Sequence, residues 1–280
     1  MIKNPVYNKE ITVSSRGYRI PAVIAIFNLI LAAVALISMG LTVRRAEAEA
    51  AAVDYASFLL IFRMLACIEF GLILFIMPSL TAGSISAERE RGTLDLMLTT
   101  RLTPLDIAAG KLLSAVSTAG MILLSSLPVL ALVFAYGGLT VSDVLVLVAA
   151  FLTEMVLTGC VGLWTSARHR NTAMAAASAY GILGACFGAG FLIPLIVRNL
   201  TGNAGLWFQL LYLNPSFAFL TEIFSLTGYR NAVSDLARWL GSPDPGSPER
   251  IFLTGILLQL LCAAVLFADA VRHIGPGRRS

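Results

Sequence analysis

Long apolar stretches separated by short polar segments dominate the pattern of hydrophobic and polar positions along this chain. A helix needs about 20 predominantly apolar residues to cross the hydrocarbon core of a bilayer. Six stretches are long enough, at residues 20–43, 58–82, 105–136, 142–166, 172–197 and 251–271. The pattern therefore predicts an all-α polytopic membrane protein with six transmembrane helices, in which residues 1–280 form a single transmembrane domain.

A seventh apolar stretch, residues 205–228, is interrupted in its middle by Asn214-Pro215. Proline lacks a backbone N–H and disfavours helical geometry at the residue before it. Each half of the stretch is then too short to cross a bilayer, and broken backbone at membrane depth is tolerated where it packs against protein. We therefore predict a re-entrant hairpin on the outer side, within an extracytoplasmic region at residues 198–250.

The N-terminal segment, residues 1–19, mixes apolar residues with polar and basic ones. Asn4-Pro5 is typical of a helix start, with Asn as the N-cap and Pro at the first helical position. The segment favours a short interfacial helix on the membrane surface, with an unstructured tail as the alternative. The apolar run that follows is longer than the roughly 7–15 residues of a signal-peptide core, so we expect it to be retained as the first span.

Composition and charge support this class and suggest an orientation. Only 13% of the residues are charged, whereas soluble domains average about 25%. With the N-terminus inside, thirteen Lys or Arg residues fall on the cytoplasmic side and six outside, which predicts a cell-membrane protein with both termini in the cytoplasm. A seventh span would leave that count unchanged. No basic stripe interleaved with aromatic residues suggests a nucleic-acid partner.

The connection between the second and third spans, residues 84–104, is the most polar part of the chain interior. It opens with four charged residues that suit a short helix, Glu88, Arg89, Glu90 and Arg91. Gly92 then allows a turn with positive φ at little cost, and a Leu-rich piece follows. Thr103 and Asp106 fit a capping box with Pro104 at the first helical position of the third span. We interpret the segment as a compact knob that docks a soluble partner, with an ordinary interhelical loop as the alternative.

Glu69 and Glu154 lie well inside predicted spans, and Arg63 lies within the second span. A charge at the centre of a membrane helix costs about 2.5–3.5 kcal/mol on insertion scales, so such residues usually face a bundle interior or water. One hypothesis is that Glu69 and Glu154 line a substrate path or relay protons. The other is that they form a buried polar network, with Arg63 as a partner, that fixes helix packing.

The order of residues in 84–104, together with Gly110-Lys111 near the base of the third span, resembles the signature of type-2 ABC transporter permeases (the ABC-2 membrane family). The matching residues are Glu88, Arg89, Glu90, Arg91, Gly92, Thr93, Leu94, Pro104 and Lys111. Asn4-Pro5 is similar to the start of the family's interfacial helix, and Asn214-Pro215 is similar to its re-entrant outer hairpin. The resemblance covers essentially the whole chain.

The resemblance implies a permease subunit that pairs with a second permease subunit, as a homodimer or heterodimer, and docks cytoplasmic ABC ATPase subunits through residues 84–104. It also implies ATP-driven export of a hydrophobic or amphipathic compound (a peptide, antibiotic or lipid) or of an ion. Gly110-Lys111 is followed by Leu112 rather than the Ser or Thr of a phosphate-binding loop. We therefore expect no catalysis, cofactor or metal site in this chain, with ATP and Mg²⁺ held by the partner.

Two alternatives to an ATP-driven permease stay open on the sequence. The first is an ion-coupled secondary transporter that uses Glu69 and Glu154 as coupling residues. The second is a membrane scaffold subunit of a larger complex, with no transport of its own.

Overall fold

The computed structural model describes residues 4–15, 17–48, 55–137, 140–242 and 246–275, and these ranges contain helices and connections but no β-strand. Six helices are long and apolar enough to cross a membrane. They are α2 (Arg19–Ala48), α3 (Tyr55–Thr81), α6 (Pro104–Gly137), α7 (Val141–Arg168), α8 (Thr172–Thr201) and α12 (Pro248–Ile274). The predicted all-α polytopic architecture is confirmed, although α2 continues about one turn past its predicted end.

The shorter helices fall into two groups. At one end are α1 (Pro5–Ser15), α4 (Ser86–Glu90) and α5 (Thr93–Leu98). Towards the other end, a 3₁₀ turn at Gly205–Gln209 leads into α9 (Leu210–Leu213), α10 (Pro215–Leu226) and α11 (Ala232–Leu240). The long helices therefore carry a different set of short elements at each end.

Helix α7 is the most buried of the long helices, whereas α2 and α8 are the least buried. A Cβ atom at Gly159 would lie 2.7 Å from Met77 Cε, and one at Gly162 would lie 2.0 Å from Thr81 Oγ1. Helix α3 thus crosses α7 at a distance that only glycine permits, as small residues allow between membrane helices. The main apolar core lies along this crossing and includes Phe62, Leu65, Phe151 and Met155.

Helix α1 packs against the start of α6. Asn4 Oδ1 accepts a hydrogen bond from Val6 N (2.9 Å), and Asn4 Nδ2 donates to the carbonyl oxygen of Asp106 (2.7 Å). A Cβ atom at Gly110 would lie 2.9 Å from Val6 Cβ, so the glycine permits this close approach. The predicted helix start at Asn4-Pro5 is confirmed. The position of α1 on a membrane surface stays a prediction.

The interruption predicted at Asn214-Pro215 is present, between α9 and α10. Asn214 is extended (φ −80°, ψ 119°) and its Oδ1 caps α10 by accepting from Ser216 N (3.1 Å). Its Nδ2 donates to the carbonyl oxygen of Phe187 on α8 (3.0 Å), and Gln259 Nε2 on α12 donates to that of Pro215 (2.8 Å). Helices α8 and α12 therefore provide hydrogen-bond partners for the Asn214 side chain and the Pro215 carbonyl group at the break. Whether the hairpin re-enters the membrane stays a prediction.

Candidate functional site

The segment between α3 and α6 folds as two short helices joined at Gly92, as its sequence pattern predicts. Gly92 has φ +69°, a left-handed conformation that favours glycine. Thr93 Oγ1 closes the turn by donating to the backbone carbonyl of Glu88 (3.1 Å) and to the Glu88 carboxylate. Leu94 is buried against the ends of α6, α7 and α12. We call residues 84–104 the coupling segment.

The first helix of the coupling segment is fixed to the end of α7. Ser166 Oγ accepts hydrogen bonds from the backbone N–H groups of Ile85 (2.9 Å) and Ser86 (3.0 Å). Arg89 Nη1 donates to the carbonyl oxygens of Ala167 (3.0 Å) and His169 (3.1 Å). Backbone groups that helix ends leave without intrahelical partners thus bind α4 and α7 to each other.

Glu90 binds the start of α8. Its Oε1 accepts from the backbone N–H of Thr172 at 2.9 Å, the first residue of that helix. A carboxylate is favourable at this position because the N-terminus of a helix carries partial positive charge. Asn171 adds a conventional N-cap, since its Oδ1 accepts from Ala173 N (2.8 Å). The start of α8 is therefore tied to the coupling segment.

Lys111 links the coupling segment to α1 and α6. Its ammonium nitrogen lies 3.1 Å from Glu10 Oε1 on α1 and 3.5 Å from Glu88 Oε1 on α4. The Lys111 side chain is 4% exposed, whereas Glu88 is 15% and Glu10 30% exposed. A buried ammonium needs such partners, because an isolated charge in a protein interior is strongly unfavourable. We call Glu10, Glu88 and Lys111 the ion-pair cluster.

The outer surface of the coupling segment is formed by a different set of side chains. Leu96 is 66% exposed, and the exposed residues around it are Arg91, Asp95, Thr99, Thr100 and Arg101. Leu96 was not among the residues predicted for this site. Helical spacing identifies it, because Leu94 and Leu98 are four residues apart on one face and Leu96 lies between them.

Arg63, Glu69 and Glu154 do not form one network. Glu69 is buried and accepts a hydrogen bond from Ser126 Oγ on α6. Glu154 is also buried, and neither of its carboxyl oxygens has a hydrogen-bond partner. The Arg63 guanidinium stacks on the rings of Phe224 (4.9 Å) and Tyr229 (4.7 Å). Within the described ranges no ion pair joins Arg63 to Glu69, and the part that the three residues play in a substrate path or in helix packing stays a prediction.

A family match covers nearly the whole chain. The family model for ABC-2 family transporter proteins matches residues 4–267. That range contains α1, the coupling segment and most of the sixth long helix. No curated protein matches the chain. Because the match covers almost the whole sequence and the fold provides six membrane-length helices, the chain belongs to the ABC-2 transporter family, whose members are membrane permeases of ABC transporters.

Proposed function

We propose that this chain is the membrane-spanning subunit of an ATP-driven exporter, and that the coupling segment transmits movement from a partner ATPase into the bundle. The observation that carries the proposal is the attachment of the segment to several helices at once. Hydrogen bonds join α4 to α7 and α8, and the ion-pair cluster joins it to α1 and α6. A force applied to the segment would therefore reach four helices together.

The exposed side of the coupling segment has the composition of a small docking surface. Leu96 provides an apolar centre, and Arg91 and Arg101 provide a basic rim. Protein interfaces commonly combine an apolar core with a polar rim, and charge complementarity favours the correct partner. The proposed ATPase would accordingly present an apolar groove with acidic residues at its edge, and would hold ATP and Mg²⁺ itself.

The same proposal includes the orientation and the assembly. Both termini would be cytoplasmic in the cell membrane, with α9 to α11 on the outer side, in accordance with the distribution of Lys and Arg. A second permease subunit, identical or homologous, would complete the transporter. The weakly buried sides of α2 and α8 are apolar surfaces for that subunit or for lipid. By family analogy the cargo is a hydrophobic or amphipathic compound, or an ion.

Substitution of Leu96 tests the docking surface. We expect Leu96→Glu to reduce the ATPase that co-purifies with the chain from its native membrane by at least tenfold, because a carboxylate would enter an apolar groove with an acidic edge. The measurement is the amount of ATPase protein and ATP hydrolysis in the purified complex. Leu206→Glu is the matched control, since Leu206 is 87% exposed on the 3₁₀ turn at the other end of the bundle.

Equal ATPase recovery with both variants would remove the coupling segment from consideration as the docking site. If no ATPase co-purifies with the unaltered chain, the ATP-driven function itself is disproved.

The second candidate, an ion-coupled secondary transporter, is favoured by the buried carboxyl groups of Glu69 and Glu154. It predicts transport driven by an ion gradient without nucleotide.

A further inference from the structure

Glu154 is buried in a manner that ordinary helix packing does not explain. It lies halfway along α7, is 1% exposed, and has two carboxyl oxygens without hydrogen-bond partners. It faces a narrow gap whose other walls include Phe70 on α3, Phe219 on α10 and Gln259 on α12. The gap is too small to admit a water molecule. The carboxyl group is therefore closed off from solvent by three neighbouring helices.

The surroundings of this carboxyl group decide its chemical form. An ionised carboxylate without donors or a counter-ion is strongly unfavourable in an apolar interior. A bound metal cation would need several oxygen ligands, about six to eight for Ca²⁺. Gln259 is the one other polar side chain along the gap, and its amide nitrogen already donates to the carbonyl oxygen of Pro215. A neutral carboxylic acid is the form that fits this site.

The charged groups on the helices that line the gap supply no counter-ion. On α3, Glu69 is hydrogen-bonded to Ser126 of α6. Arg63, also on α3, stacks on the rings of Phe224 in α10 and of Tyr229 just after it. The ionisable residue of α10 is another acid, Glu222. Helix α12 has no charged residue between Arg250 and Asp269, and α7 has none between Asp143 and Arg168 besides Glu154.

We propose that Glu154 is a proton-binding site of the transporter. Its carboxyl group is protonated while the gap is closed and loses the proton when α10 moves away from α7 and α12. Helix α10 forms one wall of the gap. Phe219 stacks on Phe70 with ring centroids 4.2 Å apart and lies 5.7 Å from Phe151. A Cβ atom at Gly255 would lie 2.5 Å from Ala218 Cβ, so α10 also packs closely against α12.

Opening of the gap would admit water to the acid. The O–H bond of the Glu154 carboxyl group then breaks, the proton passes to a water molecule to form hydronium, and the carboxylate is hydrated. Closing the gap reverses the transfer. The link between opening and ATP rests on the proposed function, whereas the protonation of Glu154 in the closed state does not. Each transport cycle would then exchange one proton with the side to which the gap opens.

Infrared spectroscopy of the purified full-length chain in lipid nanodiscs at neutral pH tests the proton itself. We expect Glu154→Gln to remove one protonated-carboxyl C=O band from the spectrum of the unaltered protein. Glu249→Gln is the matched control, because Glu249 is exposed and paired with Arg230, and it should remove a carboxylate band instead. Loss of a carboxylate band in Glu154→Gln would overturn the proposal.

Transfer to deuterated water tests the closed gap. In the resting protein the Glu154 band should shift slowly, over minutes or longer, and ATP turnover in the complex with its ATPase should accelerate the shift at least tenfold. An immediate shift of the band at rest, or an exchange rate unchanged by ATP turnover, would contradict proton release by α10 movement.

If Glu154→Gln does not fold, Glu154→Asp replaces it and should move the protonated-carboxyl band rather than remove it. A neutral Glu154 in a chain that binds no ATPase would disprove the exporter function while leaving the protonated site intact.

Discussion

Lys111 is the residue on which the coupling segment depends most directly. It is the least exposed member of the ion-pair cluster, and its two carboxylate partners come from two different helices, α1 and α4. Gly110 next to it lets α1 approach α6 closely enough for Glu10 to reach the ammonium group. The Gly-Lys pair therefore has a physical role in this fold, since the first residue makes room for α1 and the second binds it.

Replacement of Lys111 by methionine keeps the length of the side chain and removes its charge. We expect a loss of about 1.5–3 kcal/mol in stability, the usual range for hydrogen bonds to charged groups. We also expect less cargo moved per ATP hydrolysed, because α4 is no longer tied to α1 and α6. Thermal unfolding in detergent and transport in proteoliposomes measure the two effects. Arg45→Met, at an exposed position in the last turn of α2, should change neither, and an equally large effect there would refute the role of the cluster.

At this scale the sequence predicts contacts between close neighbours in the chain. The capping box is confirmed, since Thr103 N donates to Asp106 Oδ2 (3.0 Å) and Asp106 N donates to Thr103 Oγ1 (3.1 Å). The bonds from Glu88 to Lys111 and from Glu90 to Thr172 could not be predicted, because each depends on how separate helices pack. The charged residues of the coupling segment were predicted as contacts for an ATPase, yet Glu88, Arg89 and Glu90 bind this chain's own helices.

At the scale of helices, the crossing of α3 and α7 sets the geometry of the bundle. We expect Gly162→Ala to destabilise the protein by about 1–3 kcal/mol, the usual cost of overpacking, because its Cβ would overlap Thr81 and lie 3.1 Å from the backbone nitrogen of Ala82. Gly181→Ala, where a Cβ meets nothing within 4 Å, should be neutral or stabilising by up to about 1 kcal/mol. Thermal unfolding of both variants in detergent gives the comparison, and equal effects would contradict a close crossing.

The breaks between helices were easier to predict than their packing. Gly92 and Asn214-Pro215 interrupt apolar or helical runs for local reasons, and both interruptions are observed. The faces along which the long helices meet were not predicted. In a membrane protein the lipid-facing and core-facing sides are both apolar, so hydrophobic periodicity does not distinguish them.

At the scale of the whole molecule, the two ends of the bundle should face opposite sides of the membrane. We expect Thr99→Cys in the coupling segment to react with an impermeant thiol reagent only from the cytoplasm. Arg230→Cys, between α10 and α11, should react only from outside. The unaltered protein, whose four cysteines all lie in long helices, is the control for background labelling in intact cells and inverted vesicles. Labelling of both positions from the same side would mean that a span has been misassigned.

The number of long helices and their class were predictable because a helix must be apolar over a fixed length to cross lipid. The orientation stays a prediction from charge, since helix geometry is the same whichever end faces the cytoplasm. The chemical environment of Glu154 could not be predicted from the sequence either. It arises where α3, α7, α10 and α12 meet, and no single helix reveals it.

The bond between Glu90 and Thr172 also has a consequence for biosynthesis. The two residues are separated by 82 positions in the chain, and Ser166, which holds the start of α4, is almost as distant. When α4 and α5 leave the ribosome, Ser166 and Thr172 have therefore not yet been synthesised, and the groups that fix α4 are still missing. The proposed docking surface would be completed only after α7 and the first turn of α8 have been synthesised. On that proposal an ATPase subunit would join a chain that has already inserted four of its six long helices.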